Sequence, residues 1–127
     1  EELRCAKPTT VSILLVNLEE AFRLNLHHRN KDYAANVLSF PANLPDQATS
    51  VLYSKPIGDI VICPEILQRE ADEQKKPINA HWAHLLIHSA LHLKGFHHET
   101  KKEAERMEKQ EIKVLKKLGF PNPYLIM

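Results

Sequence analysis

Residues 77–98 read Pro77-Ile78-Asn79-Ala80-His81-Trp82-Ala83-His84-Leu85-Leu86-Ile87-His88-Ser89-Ala90-Leu91-His92-Leu93-Lys94-Gly95-Phe96-His97-His98, and the periodicity of this stretch decides the fold. His81, His84, His88 and His92 fall at i, i+3, i+7 and i+11. On a helix turning once every ~3.6 residues, that spacing forms one narrow stripe. Trp82, Leu85, Leu86 and Leu93 make one flank, and Ala83, Ile87, Ala90 and Leu91 the other. The pattern predicts a helix over residues 77–94, buried almost all round, with Gly95 as its C-terminal stop. Burying an unpaired polar group costs roughly 1–3 kcal/mol. A buried imidazole stripe therefore calls for shared partners, water or a metal ion.

The spacing beyond the stripe narrows that choice. His88, His92, Gly95 and His98 form H-x-x-x-H-x-x-G-x-x-H. Side chains four apart on a helix face the same way, so two imidazoles can bind one zinc ion. A glycine free to take positive φ lets the chain turn and bring a third ligand, His98, to the same ion. Three neutral imidazoles leave a fourth position open, as catalytic zinc sites do. Nickel or copper also suits such ligands. His81 and His84 are read as structural groups or as supports behind the ligands. His97 is a possible substitute third ligand, but the Gly-x-x-His spacing favours His98.

Outward from this helix, residues 57–63 read as a buried strand, and Pro64 opens a further helix running to about residue 76. Residues 101–118 form an amphipathic helix with Ala104, Met107, Glu111, Ile112, Leu115 and Leu118 on one largely apolar face and Gly119 ending it. Toward the N-terminus, residues 11–16 suggest a buried strand feeding a helix at 18–24, and residues 36–41 a short strand ending at Pro41. The polar stretches 27–35 and 42–50 read as connections, the latter an exposed loop.

The chain has 127 residues, 43% of them hydrophobic, enough for one domain, 1–127. A net charge of +1 makes any nucleic-acid contact a local matter. Cys5 and Cys63 form no C-x-x-C pair and read as free thiols in a reducing cytoplasm. The sequence holds no apolar run of the length a membrane crossing needs and opens with no signal-peptide pattern. A soluble, cytoplasmic protein is expected.

The metzincin proteases share the histidine–glycine spacing, as H-E-x-x-H-x-x-G-x-x-H. Here Ser89 stands where their general-base glutamate would be, and a neutral hydroxyl cannot take a proton near neutrality. Peptide hydrolysis by that route is disfavoured. The run from His88 to His98 instead resembles the signature of the YbeY family of bacterial rRNA maturation factors, usually H-G-x-L-H-L-x-G-aromatic-D-H, with Ser89 for the glycine and His97 for the aspartate. The resemblance extends through Arg29-Asn30-Lys31-Asp32, Asn36-Val37-Leu38-Ser39-Phe40-Pro41 and Gly58-Asp59-Ile60, in the family's order. Family members usually carry a further strand and helix before the equivalent of residues 11–16, so the chain reads as short at its N-terminus.

The resemblance implies an α+β fold with a small mixed sheet packed by helices and a zincin-like metal helix. It also implies a zinc ion and single-strand-specific endoribonuclease activity in 16S rRNA maturation and ribosome quality control. The expected partners are single-stranded RNA or an rRNA precursor, and the small ribosomal subunit with its assembly proteins. Arg29 matches the family's functional arginine, and a guanidinium suits bidentate phosphate contact. The candidate catalytic set is thus Arg29, His88, His92 and His98, the histidines being the metal ligands. Asn36 and Ser39 either line the same cleft or hydrogen-bond a strand end, with the second favoured. Asp59 is either a carboxylate behind a histidine or, with Gly58, part of a turn. Lysines 101, 113, 116 and 117 alternate with glutamates as a solvated helix face. Two other functions stay open: an assembly factor whose zinc only stabilises the C-terminal half, and a small metalloprotease.

Overall fold

The computed structural model describes residues 8–45 and 54–125. Cys5 and residues 46–50 of the expected loop lie outside them. The elements run β1 (Thr9–Leu15), α1 (Leu18–Arg29), β2 (Val37–Pro41), β3 (Lys55–Ile62), α2 (Pro64–Gln74), α3 (Ile78–Leu93) and α4 (Lys101–Lys117). The sheet is mixed, in the order β1-β3-β2, with β1 parallel and β2 antiparallel to β3. The fold is a small α+β domain, as the family resemblance implied.

β3 is central, and its consecutive apolar residues serve two faces. Ile60 and Ile62 pack with Leu67 of α2 and with Trp82, Leu85, Leu86 and Leu93, the first of the two apolar flanks of α3. Val61 points to the opposite face and packs with Ala35, Leu38, Val16 and Leu24. The sheet thus lies between α1 on one side and α2 with α3 on the other. Burying each large side chain at this centre contributes roughly 1.5–3 kcal/mol.

Gly58 makes that packing possible. A Cβ there would lie 2.4 Å from the Phe40 carbonyl oxygen and 2.7 Å from Leu93 Cδ2, and its φ is +153°. Only a residue without a side chain lets β2 and the end of α3 approach β3 this closely. Gly58 and Asp59 therefore sit inside a strand and not in a turn.

Four expectations change. A buried β1 is expected, but among the described strands it lies at the edge of the sheet, with only Val11 half-buried and Ile13, Leu14 and Leu15 exposed. Its β-branched composition reports strand propensity and does not distinguish an edge from a centre. α1 continues to Arg29, because His27, His28 and Arg29 complement the dipole at its C-terminus although they carry no apolar periodicity. α3 is half-buried along most of its length, with only His81, Ser89 and Leu91 fully enclosed, and a cleft opens at its C-terminal half along His88, Ser89, His92 and Leu93. Leu118 is exposed and follows the last turn of α4.

α4 starts from a capping box in which the Thr100 hydroxyl accepts from the Glu103 N–H at 3.1 Å and the Glu103 carboxylate accepts from the Thr100 N–H at 3.1 Å. Its buried stripe is Met107, Glu111 and Leu115. No described helix is long and apolar enough to cross a membrane.

Candidate metal centre

The end of α3 turns the chain back on itself. The Phe96 N–H donates to the Leu91 carbonyl at 3.0 Å and the Gly95 N–H to the His92 carbonyl at 3.0 Å, which is a Schellman motif with Gly95 at φ +103°. Nothing lies within 4 Å of where a Gly95 Cβ would stand, so glycine is needed here for backbone conformation and not for space. The reversal returns His98 to the face of α3 that carries His88 and His92. One potential ligand atom from each of His88, His92 and His98 lies within 4.8 Å of the others. The rings stand 4.9 Å (His88–His92), 4.7 Å (His92–His98) and 5.5 Å (His88–His98) apart, centroid to centroid.

This donor set fits a cation such as zinc. Neutral imidazole is the ligating form. Burial, followed by the neighbouring His88, His98 and His97, lowers the pKa of His92, while a backbone hydrogen bond at Phe96 opposes the shift. Burial, together with the clustering, thus favours the neutral state in which His92 presents a lone pair.

The three histidines border a cleft of about 670 Å³. His28 and Arg29, at the end of α1, and Ser39 and Phe40 of β2 line the same cleft. The position of Arg29 is set locally. Asn30 caps the helix in the left-handed conformation, φ 58°, and the buried Asn25 donates from Nδ2 to the Tyr33 carbonyl at 2.8 Å, pinning the chain that follows. Arg29, His88, His92 and His98 are thus brought to one cleft, and Ser39 with them.

A profile of the family described as Endoribonuclease YbeY matches residues 1–119. The chain belongs to the YbeY family. Relatives named Endoribonuclease YbeY include one from Xylella fastidiosa, 49% identical over 115 residues that cover 91% of this chain and 71% of that protein. One from Acinetobacter baumannii is 50% identical over 115 residues, 90% of this chain and 73% of that protein. The solution structure of a Thermotoga maritima protein superposes with a TM-score of 0.52 at 26% identity, covering 91% of this chain and 78% of that one.

In this YbeY-family chain the other polar residues singled out by sequence take supporting positions or none. Asn36 donates to the Glu70 carboxylate at 3.2 Å, and Glu70 accepts from His81 Nε2 at 2.9 Å, so this pair ties β2 and α2 to α3. Asp59 is exposed on β3 and lies outside the cleft lining. His97 lines the cleft beside His98.

Two participants escaped the sequence reading, Glu111 as a site residue and Tyr124 altogether. Glu111 is 0% exposed. It accepts from His84 Nε2 at 3.0 Å, from His88 Nδ1 and from the Tyr124 hydroxyl. Burial alone would push its carboxyl up, but the hydrogen bonds from His84, His88 and Tyr124, with the charge of His88, bring it down to about 2. Burial and the bond to Glu111 push the Tyr124 phenol well above its ordinary range. The signal in the sequence was a carboxylate in the middle of an apolar stripe, between Met107 and Leu115. His84, His88 and Glu111 form a second cluster of potential ligands, but both Glu111 oxygens already accept hydrogen bonds.

Proposed function

We propose that this chain is a metal-dependent endoribonuclease that cuts single-stranded RNA, with zinc held by His88, His92 and His98 and the substrate phosphate engaged by Arg29. The observation that supports it most is the convergence of three imidazoles, within 4.8 Å, on a cleft that Arg29 also lines. The relatives' name, Endoribonuclease YbeY, supplies the substrate class. Maturation of 16S rRNA, ribosome quality control, and work beside the small subunit and its assembly proteins in the cytoplasm belong to this proposal.

A zinc ion in such a site supplies charge stabilisation at a phosphoryl oxygen and makes water more acidic. The chain's own residues supply the rest. Arg29 presents a planar fork of donors that matches two phosphate oxygens. His28 and His97 line the cleft and are groups able to take or give a proton. Phe40 and His28 meet edge to face, with ring centroids 5.0 Å apart, and give the cleft an aromatic ring on which an unpaired base can stack. Bases already stacked within a duplex are not free to do so.

Ser89, where a protease of the same spacing has its carboxylate, is only 2% exposed, and the described residues lining the cleft include no carboxylate. That arrangement suits peptide hydrolysis poorly.

The test is cleavage of fluorescent single-stranded and duplex RNA by purified protein loaded with zinc. Cutting of the single strand only, abolished by chelation and by His92→Ala, supports the reading. Undiminished cutting after complete metal removal rejects it. RNA binding without cutting, together with unfolding on metal removal, would assign the ion a structural role in an assembly factor.

A further inference from the structure

Resting on the metal-centre reading, we propose that Glu111 is a positioning residue that locks His88 in the tautomer needed for metal binding, and that Tyr124 latches Glu111 in place. A carboxylate only accepts, so its neighbours must donate. Oε2 takes the His88 Nδ1 proton, and Oε1 takes those of His84 Nε2 and the Tyr124 hydroxyl. A His88 proton fixed on Nδ1 leaves the lone pair on Nε2, the nitrogen a cation can use. His84 follows the complementary logic: its proton sits on Nε2, and its buried Nδ1, which finds no hydrogen-bond partner among the described residues, is the unprotonated nitrogen.

The fold places this group with care. Glu111 is itself 0% exposed and lies between Met107 and Leu115, 1% exposed each, so bulk solvent competes little with its three donors. Tyr124 arrives from beyond α4. Gly119, at φ +90°, reverses the chain with Phe120 N–H donating to the Leu115 carbonyl at 2.8 Å. Asn122 Oδ1 then accepts from the Tyr124 N–H at 2.8 Å, a turn that carries the phenol back over α3, where its ring stands edge-on to His84 at 5.3 Å. Residues 119–124 thus act on the metal centre without touching the cleft.

The chemistry separates this role from plain packing. Gln at 111 keeps the size and one acceptor oxygen, but its amide nitrogen donates, so one imidazole loses its partner. Loss of an outer hydrogen-bond partner of a ligating histidine costs about tenfold to hundredfold in metal affinity. Phe at 124 removes one of three donors and leaves the His88 bond, so a smaller loss in the same direction is expected.

The test uses cobalt(II) as a spectroscopic probe of metal-free wild type, Glu111→Gln and Tyr124→Phe. Affinity is read by competition with a chelator, and folding of each metal-free protein by circular dichroism. Glu111→Gln should bind cobalt about tenfold to hundredfold more weakly, with an altered visible spectrum, and its kcat should fall while KM for RNA holds. Wild-type affinity and spectrum in a folded Glu111→Gln would overturn the proposal, and wild-type affinity in Tyr124→Phe would remove the latch. Should Glu111→Gln fail to fold, nitrogen-15 NMR of the wild-type imidazoles decides: His88 protonated at Nδ1 upholds the proposal, and at Nε2 overturns it. The tautomer is read without metal or RNA. A wild type that binds cobalt through His88 Nε2 yet cuts no RNA would therefore defeat the nuclease reading and leave this one standing.

Discussion

Replacing Gly95 by alanine asks where backbone strain goes when a metal site depends on it. No heavy atom of the described residues lies within 4 Å of the new methyl group, so the cost is conformational. At φ +103° an L-residue is well outside its allowed regions, which costs about 1–3 kcal/mol. That energy has two destinations. If the bend keeps its shape, the metal-free protein loses the full amount in stability and cobalt affinity is unchanged. If the bend relaxes, stability is spared, His98 moves away from His88 and His92, and affinity falls by up to about 5- to 150-fold, at 1.4 kcal/mol per decade. The two losses should sum to about 1–3 kcal/mol whichever way they divide. Urea unfolding of the metal-free protein and chelator competition with cobalt measure the two parts separately. A Gly95→Ala protein within about 0.5 kcal/mol of wild type in both would refute the claim that the bend requires glycine.

Gly58→Ala meets a backbone oxygen at 2.4 Å as well as an unfavourable φ, and should cost about 2–4 kcal/mol in urea unfolding. A loss under about 1 kcal/mol would mean that β2 and β3 separate freely. Leu67→Ala empties a fully buried position in the cluster under α3 and should cost about 2–5 kcal/mol, while a protein that still folds keeps wild-type cobalt affinity. Thr100→Ala removes the capping box of α4 and should cost about 1 kcal/mol, with no change in stability counting against the cap. Arg29→Ala should bind zinc normally yet cut single-stranded RNA about ten- to hundredfold more slowly, the worth of a charged hydrogen bond to phosphate. Wild-type rates in that variant would remove Arg29 from the site.

What could be read in the chain, and what could not, follows from the range of the interactions. The α3 stripe and the Gly95 bend are local, set by helical periodicity and by the φ a glycine allows, and both were legible. The flank of Trp82, Leu85, Leu86 and Leu93 could be assigned to one side of the helix, and it meets β3. The exposure of β1 was not legible, because an apolar strand reads alike at an edge and at the centre until its neighbours are known. The end of α1 was missed for a different reason: His27, His28 and Arg29 belong to the helix through backbone hydrogen bonds and carry no hydrophobic period. Glu111 showed itself only as an anomaly in an apolar stripe. Its partners, His84 and His88 on one side and Tyr124 on the other, lie 27, 23 and 13 residues away, and no local pattern links them.

The account rests on one cation shared by three imidazoles, and the direct measurement is anomalous diffraction at the zinc edge from crystals of zinc-loaded protein. The account predicts a single strong peak with nitrogens of His88, His92 and His98 each at about 2.0–2.1 Å and His88 bonded through Nε2. A peak seated instead between His84 and Glu111, or no peak near these residues in fully loaded protein, would contradict it.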